Sequence, residues 1–497
     1  MRQLSDLFQF FWMFESQYHQ RLAWQDAAEM RIARARAEAR AEEQHKAMMT
    51  ANPSGQLGHA VLNDEDAQAG KGKLTRFLGV NLVSPRTAHL TKIITDPKDA
   101  ELAWVSWKTL ERQGYRVRFI NPGNLYGYRS DSYNINTRVI EIAARPDLYG
   151  ILNEAAYDAA SYLVPIDPNP AHRWIGQGVR SAFALYNKIT ARFPNPRWPC
   201  TPGGLWDFFG RAAYEIADDL LLWAADNRMV DDSGMCRQIA GLTSSTDQWN
   251  AYSSLIIERL QAFQPGAAAR RVTEHNSFDP AEMKTTPTAL FIIGSATSDS
   301  SRTFVGAMTA AIVQRFVTAH GPLRALVVGE EWGQLYVSNF HEILTLYREG
   351  GINFLGVFQN AAAQIESRYG RETSRLWKKA VAHTLYRGLP DDQTLKDIEH
   401  RSGKTSVMVR GFNVNNNQVN GSGDNLVEQS RPLLQVEDIR AATGGSNALL
   451  ESRDQGFFTV EMPNFWERLE LTGLLRDVRQ KPNKYEWLNL YAPPRTN

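Results

Sequence analysis

The sequence has little of what several large protein classes need. Two cysteines among 497 residues, Cys200 and Cys236, cannot form a disulfide framework, and their separation is no metal-ligand spacing. They fit a reduced, cytosolic chain. HExxH, GxSxG and CxxC are all missing, which removes the zinc-protease, hydrolase-elbow and dithiol readings. Formal net charge is only +1, with 22% charged residues, so nothing pulls the whole chain toward nucleic acid or anionic lipid and such contacts must be local. No apolar run reaches the roughly 20 residues that span a bilayer. The nearest, "LFQFFWMF" at 7–14, is expected to form a helix docked on its own domain, with a membrane surface or a partner as the alternative.

What is present is apolar residue in quantity, 43%, enough for a large core and two or more structural units. Residues 1–57 read as an N-terminal helical segment, because 24–47 are rich in Ala, Arg and Glu at i,i+4 spacing. From 58 to 165 short apolar runs alternate with helical stretches; "TKIITDPKD" and "YRVRFINP" are strands flanking a helix at 99–112. That order predicts parallel βαβ units. From 166 to 283 the pattern becomes helical, with Trp174, Trp198, Trp206, Trp223 and Trp249 spread through it. It reads as an inserted all-α domain whose tryptophans pack inward. From 284 to 497 the alternation returns, with helices expected at 301–319, 338–349, 361–379 and 391–402, and a polar loop at 411–425. The expected class is α/β, with one mainly parallel sheet interrupted by the insertion.

The chemistry concentrates at strand ends. "RALVVGEEWGQLY" (324–336) runs four apolar residues and a Gly into Glu330 and Glu331. A parallel sheet presents its working groups at the C-terminal ends of its strands. Phosphoryl transfer needs one carboxylate for the magnesium shell and another to activate water. Gln359 in "GVFQN" and Asp96 in "IITDPK" end two other strands.

The order and spacing of several segments resemble the type IV coupling proteins, the TraG/TraD-like ATPases of conjugation and type IV secretion. "VVGEEWGQL" is similar to that family's apolar strand with Asp-Glu, an aromatic, a small residue and Gln-Leu. "GINFLGVFQNAAAQIESRYG" resembles the next strand, its Gln and the helix that follows. "AVAHTLYRGLPDDQTLKDIEHRSGKTSV", "QSRPLLQVEDIR" and, upstream, "TDPKDAEL" resemble further segments in the same order. The resemblance covers about 58–475 and is most specific in its second half. It implies a RecA-like nucleotide-binding domain with ATP and Mg2+ as ligands. Glu331 takes the catalytic position, Glu330 the magnesium position and Gln359 that of a γ-phosphate sensor. Arg348 stands where the family places an arginine that reaches a neighbouring subunit, and Asp96 lines the nucleotide site. Implied partners are the type IV secretion machinery, with DNA–relaxase complexes or secreted proteins as substrates. A homo-hexamer is implied, and a cytoplasmic place, peripheral at the inner membrane, since no segment stands for the family's N-terminal membrane-spanning pair.

The phosphate-binding loop departs from G-x-x-x-x-G-K-[S/T]. In "NDEDAQAGKGKLT" (63–75), taking Gly70-Lys71-Gly72 as its end puts Glu65 at the first Gly. Taking Gly72-Lys73 puts Ala67 there and Leu74 at the hydroxyl position. Asp64, Glu65 and Asp66 bring negative charge toward the phosphates. Two functions follow as alternatives: an ATPase, if this loop binds Mg-ATP, or a non-catalytic adaptor that binds substrates or a partner ATPase.

Overall fold

The computed structural model describes residues 60–64, 73–167, 169–389, 391–412, 424–468, 473–477 and 480–482. The N-terminal helical segment, Gly70, Lys71 and Gly72 lie outside the described residues, and so does 413–423 of the polar loop.

One sheet of nine strands organises the main unit, which comprises Gly58–Pro463 with Leu474–Asn497. Its strands are β1 (Ala60–Asp64), β2 (Thr91–Asp96), β3 (Arg116–Ile120), β4 (Thr288–Ile293), β5 (Ala325–Gly329), β6 (Ile352–Phe358) and β7 (His383–Arg387). Beyond a two-stranded ribbon, β8 (Lys404–Phe412) with β9 (Asp424–Pro432), come β10 (Asn447–Ser452) and β11 (Gly456–Glu461). The order is β11-β10-β7-β1-β6-β5-β2-β4-β3. β1 to β7 run parallel, and β10 and β11 close one edge antiparallel. β2, β4, β5 and β6 are buried along their whole length. The nearly continuous apolar runs of β4 and β5, without alternation, suit strands covered on both faces.

Helices make those covers. α1 (Glu101–Arg112) follows β2. α2 (Leu152–Leu163) and α3 (Arg173–Arg192) begin the long helical passage between β3 and β4, and α4 (Thr246–Leu260) comes late in it. α5 (Asp299–Thr318) follows β4, capped by Ser298, and is buried nearly all round from Phe304 to Val313. α6 (Ala361–Ala380) follows β6 and breaks at Gly370, whose φ of 83° no side chain would adopt comfortably. The helix expected at 338–349 is only Phe340–Leu344. Past it the amides of Leu346 and Tyr347 both turn back to Glu342 O, and Gly350 and Gly351 lead directly into β6. The stretch 411–425 is not all loop either, because Phe412 pairs with Asp424 and Gly411 with Asn425 in the β8–β9 ladder.

Between β3 and β4 the named elements are helical, starting with a short turn at Leu125–Gly127. Trp198, Phe208 and Tyr186 pack together there, with Trp223 stacked on Phe208 at 4.9 Å. Trp174 is the exception, 42% exposed against Tyr252. This aromatic cluster belongs to the same continuous core as Ile93, Val327 and Phe354 of the sheet. The second unit contains Asn464–Gly473, of which the described part is a short turn, Phe465–Glu467, closed by Glu467 accepting from Asn464 N at 2.8 Å.

Candidate active site

Strand register alone brings the acids together. Thr95 of β2 pairs with Gly329 of β5, so the next residues, Asp96 and Glu330, leave the sheet side by side. Gly329 also pairs with Gly356 of β6, which places Gln359 at the same edge. β1 lies on the other side of β6, with Asn63 opposite Phe358. The C-terminal end of β1, at Asp64, therefore lies at this edge too. Lys73 begins the helical turn Lys73–Leu78.

The turn after β5 is tightly fixed. Glu331 takes a left-handed backbone, φ 47° and ψ 38°, which a non-glycine residue adopts only when its surroundings impose it. Trp332 behind it is fully buried. A Cβ on Gly329 would overlap that indole, so the Gly before the acid pair is a packing requirement. The facing loop after β2 is strained as well, with φ of 54° at Asp99 and 64° at Ala100. Two strained turns thus meet at one sheet edge.

Lys98 sits between them. Its Nζ lies 3.1 Å from Glu330 Oε1 and 2.8 Å from Glu331 Oε1. Burial works against its charge, but the two carboxylates outweigh that and hold its pKa above the usual lysine value. Glu330 is only 1% exposed. Burial pushes its carboxyl up, and Lys98 counteracts part of that. Although Oε1 is in ion-pair range of Lys98, neither Glu330 oxygen accepts a well-directed hydrogen bond. Asp96 is fully buried; Oδ2 accepts from Ala103 N at 2.8 Å in the first turn of α1, and Oδ1 has no partner. Burial, then the Glu330 charge, raises its pKa to about 8. Gln359 Nε2 reaches Glu331 Oε2 at 3.4 Å, a long contact. Gln364 Oε1 accepts from the backbone of Gln359 and Asn360 at 3.0 and 3.3 Å, setting the turn on which Gln359 stands.

Of the residues expected from the sequence, Asp96, Glu330, Glu331 and Gln359 are brought together. Arg348 is not among them. It lies at the opposite end of the sheet, donating to Ala380 O at 3.1 Å while its own carbonyl accepts from Arg324 at 3.2 Å. Lys98 is the residue that sequence reasoning missed. So is Lys481, whose Nζ donates to Lys98 O and Asp99 O at 3.3 and 3.2 Å and lies 3.5 Å from Glu101. The only signal for Lys98 was its place two residues after Asp96 at a strand end; Lys481 carried none.

Comparison with known proteins finds likeness in sequence and in fold. Residues 324–443, which span β5, the carboxylate pair and Gln359, match the family model described as the TraM recognition site of TraD and TraG. The type IV secretion system-coupling protein VirD4 of Bartonella quintana (strain Toulouse) is 27% identical over 169 residues, 33% of this chain. In these segments the chain is similar to coupling proteins. The matched part is 26% of the VirD4 relative's own length. Among solved structures, the bacterial conjugative coupling protein TrwBdeltaN70 in its unbound monoclinic form superposes with a TM-score of 0.57 at 12% identity, over 85% of this chain and 86% of that one. TrwB in complex with ADP and Mg2+ gives 0.55 at 12% identity, over 83% and 86%. At such identity the likeness to these coupling proteins shows the fold, RecA-like α/β, and no more.

Proposed function

We propose that this chain is a nucleotide-driven coupling protein that recruits DNA–relaxase complexes or secreted proteins and delivers them to a type IV secretion apparatus. The single observation that supports this best is the buried Glu330–Glu331 pair, held on a strained turn beside β6 with Gln359 reaching Glu331. In this reading Glu331 orients water and takes its proton, and Gln359 positions Glu331 and registers the terminal phosphate. Lys71 or Lys73 grips the phosphates. Lys98 supplies the positive charge that the buried pair requires, and it must loosen from Glu331 for that carboxylate to act as a base.

The donor set fits magnesium. Both Glu330 oxygens are buried without a well-directed hydrogen bond, and magnesium in nucleotide sites is held through one or two carboxylates with substrate phosphates. When bound there it would screen the charge of the triphosphate. TrwB, which shares the fold, is described in complex with ADP and Mg2+, and the same ligands are proposed here. Arg348, far from its own chain's carboxylates, suits a role at a neighbouring subunit in a homo-hexamer. Among the described residues no helix is long and apolar enough to cross a membrane; a peripheral place at the cytoplasmic side of the inner membrane is part of the proposal.

The acids Asp64, Glu65 and Asp66 ahead of the loop favour a second reading, the non-catalytic adaptor. Calorimetric titration of the full chain with Mg-ATP, followed by measurement of phosphate release, separates the two. Saturable binding with turnover supports the ATPase. Failure to bind at millimolar ATP would leave only the adaptor.

A further inference from the structure

A cavity of about 140 Å³ opens where the helical passage meets the sheet's C-terminal edge, and three guanidinium groups line it: Arg259 from α4, Arg302 from α5 and Arg368 from α6. Tyr336 and Gln334, from the chain just after the carboxylate turn, complete the wall. Such a concentration of arginine on three separate helices costs electrostatic energy unless something negative offsets it. The two acids nearby, Glu258 and Asp299, pair with Arg259 and Arg302, yet their side chains are 57% and 84% exposed against 22% and 24% for the arginines. The carboxylates sit at the rim in water, where such pairs contribute little.

Donor capacity remains over. Arg259 Nε is buried without a hydrogen-bond partner. Arg368 spends its Nε on Gly333 O at 2.7 Å. Burial, and then the facing Arg302 and Arg259, press its guanidinium below the usual value. The Tyr336 hydroxyl accepts from Arg180 at 3.0 Å, which leaves its own proton available to donate. A tetrahedral oxyanion is the ligand whose several oxygens can accept from arginines on different sides at once.

We propose that this cavity is a binding site for a phosphate group, whether free or in a nucleic-acid backbone, distinct from the nucleotide site. The cavity is also wired to the acid pair. The Arg368 bond to Gly333 O and the Gln334 amide bond to Glu331 O at 2.8 Å both hold the turn that begins at Glu331. An anion drawing on Arg368 would therefore stiffen or shift that turn. The site stands whether or not the carboxylate pair hydrolyses nucleotide.

The test uses the full chain and titrates inorganic phosphate, then pyrophosphate, by calorimetry. A Lys71→Ala/Lys73→Ala variant removes anion binding at the phosphate loop. Binding that survives in this variant, and that Arg259→Gln with Arg302→Gln weakens by about tenfold or more, is the expected result. Arg259→Lys with Arg302→Lys, which keeps the charge and loses the planar fork, should fall between. Hydrogen exchange of the 331–336 amides should slow with phosphate in the parent and not in the glutamine variant. A single-stranded oligonucleotide that competes with phosphate identifies backbone phosphate as the source; one that does not compete identifies free phosphate. Phosphate binding that disappears with the lysine variant and ignores the arginine variants, or no binding at all, overturns the proposal.

Discussion

β2 carries a buried ionisable group near each end, and the two ends are built on opposite terms. At its start Lys92 is fully buried with no acid beside it. Its ammonium donates to Thr87 O at 2.7 Å, Tyr115 OH at 2.8 Å and Leu90 O at 3.4 Å. Every proton has a neutral acceptor, and burial lowers its pKa to about 7. At its other end Asp96 and Glu330 are buried just as deeply with three oxygens lacking well-directed hydrogen bonds, and one lysine, Lys98, serves both Glu330 and Glu331. Buried polar groups are ordinarily satisfied, so the first arrangement needs only a structural explanation while the second implies a job beyond stability. The same strand, four residues apart, separates scaffold from candidate site.

The largest expected effect falls on the second end. Glu331→Gln should lower ATP turnover by about two to four orders of magnitude, as loss of a water-activating group commonly does, while Mg-ATP affinity in calorimetry stays near that of the parent. Turnover like the parent's would remove Glu331 from the base role. Next is Lys98→Met, which leaves the carboxylate pair without its counter-charge. Breaking a buried pair from one side costs about 3–5 kcal/mol, discounted here because Lys98 is 32% exposed. A urea midpoint at pH 7.5 should drop clearly. An unchanged midpoint would mean that water already compensates the acids.

The pH dependences should run in opposite senses. Asp96 has a raised folded-state pKa, so its contribution to stability is full below 3.8 and is lost as pH rises through about 8. Asp96→Asn should flatten that fall in urea midpoints across the window. Lys92 has a lowered folded-state pKa, so its contribution is full above 10.5 and is lost as pH falls through about 7. The smallest effect is expected for Lys92→Met, about 1 kcal/mol, because the Tyr115 hydroxyl lies within 3.1 Å of the same carbonyls of Thr87 and Leu90. A loss as large as that of Lys98→Met would erase the distinction between the two ends.

Much of this was legible in the chain. Largely apolar runs such as "TALFII" and "INFLGVF" announce strands covered on both faces, and the acids that end "ALVVGEE" and "KIITD" announce where polarity resumes. Strand order was not legible, because pairing is decided by which faces the intervening helices cover. Lys98 went unnoticed since a lysine after "TDP" is ordinarily solvated; only the 95↔329 register, across more than two hundred residues, sets it against Glu330 and Glu331. Arg259, Arg302 and Arg368 lie far apart along the chain and read as three solvated helix positions. The helical passage looked like a separate lobe, yet its core runs on into that of the sheet, since a helix pattern shows that one face is buried but not against what.

By itself, then, the sequence determined the local matters: most of the strand and helix segments, and that Glu330, Glu331, Asp96 and Gln359 stand at strand ends. These follow from periodicity and steric limits within a few residues. Tertiary structure alone decided which acids share a lysine, that burial pushes the Asp96 carboxyl up, that Arg348 faces away, and that three arginines ring a cavity. Those outcomes depend on charge separation and burial, and both are set by distances in space that sequence distance does not encode.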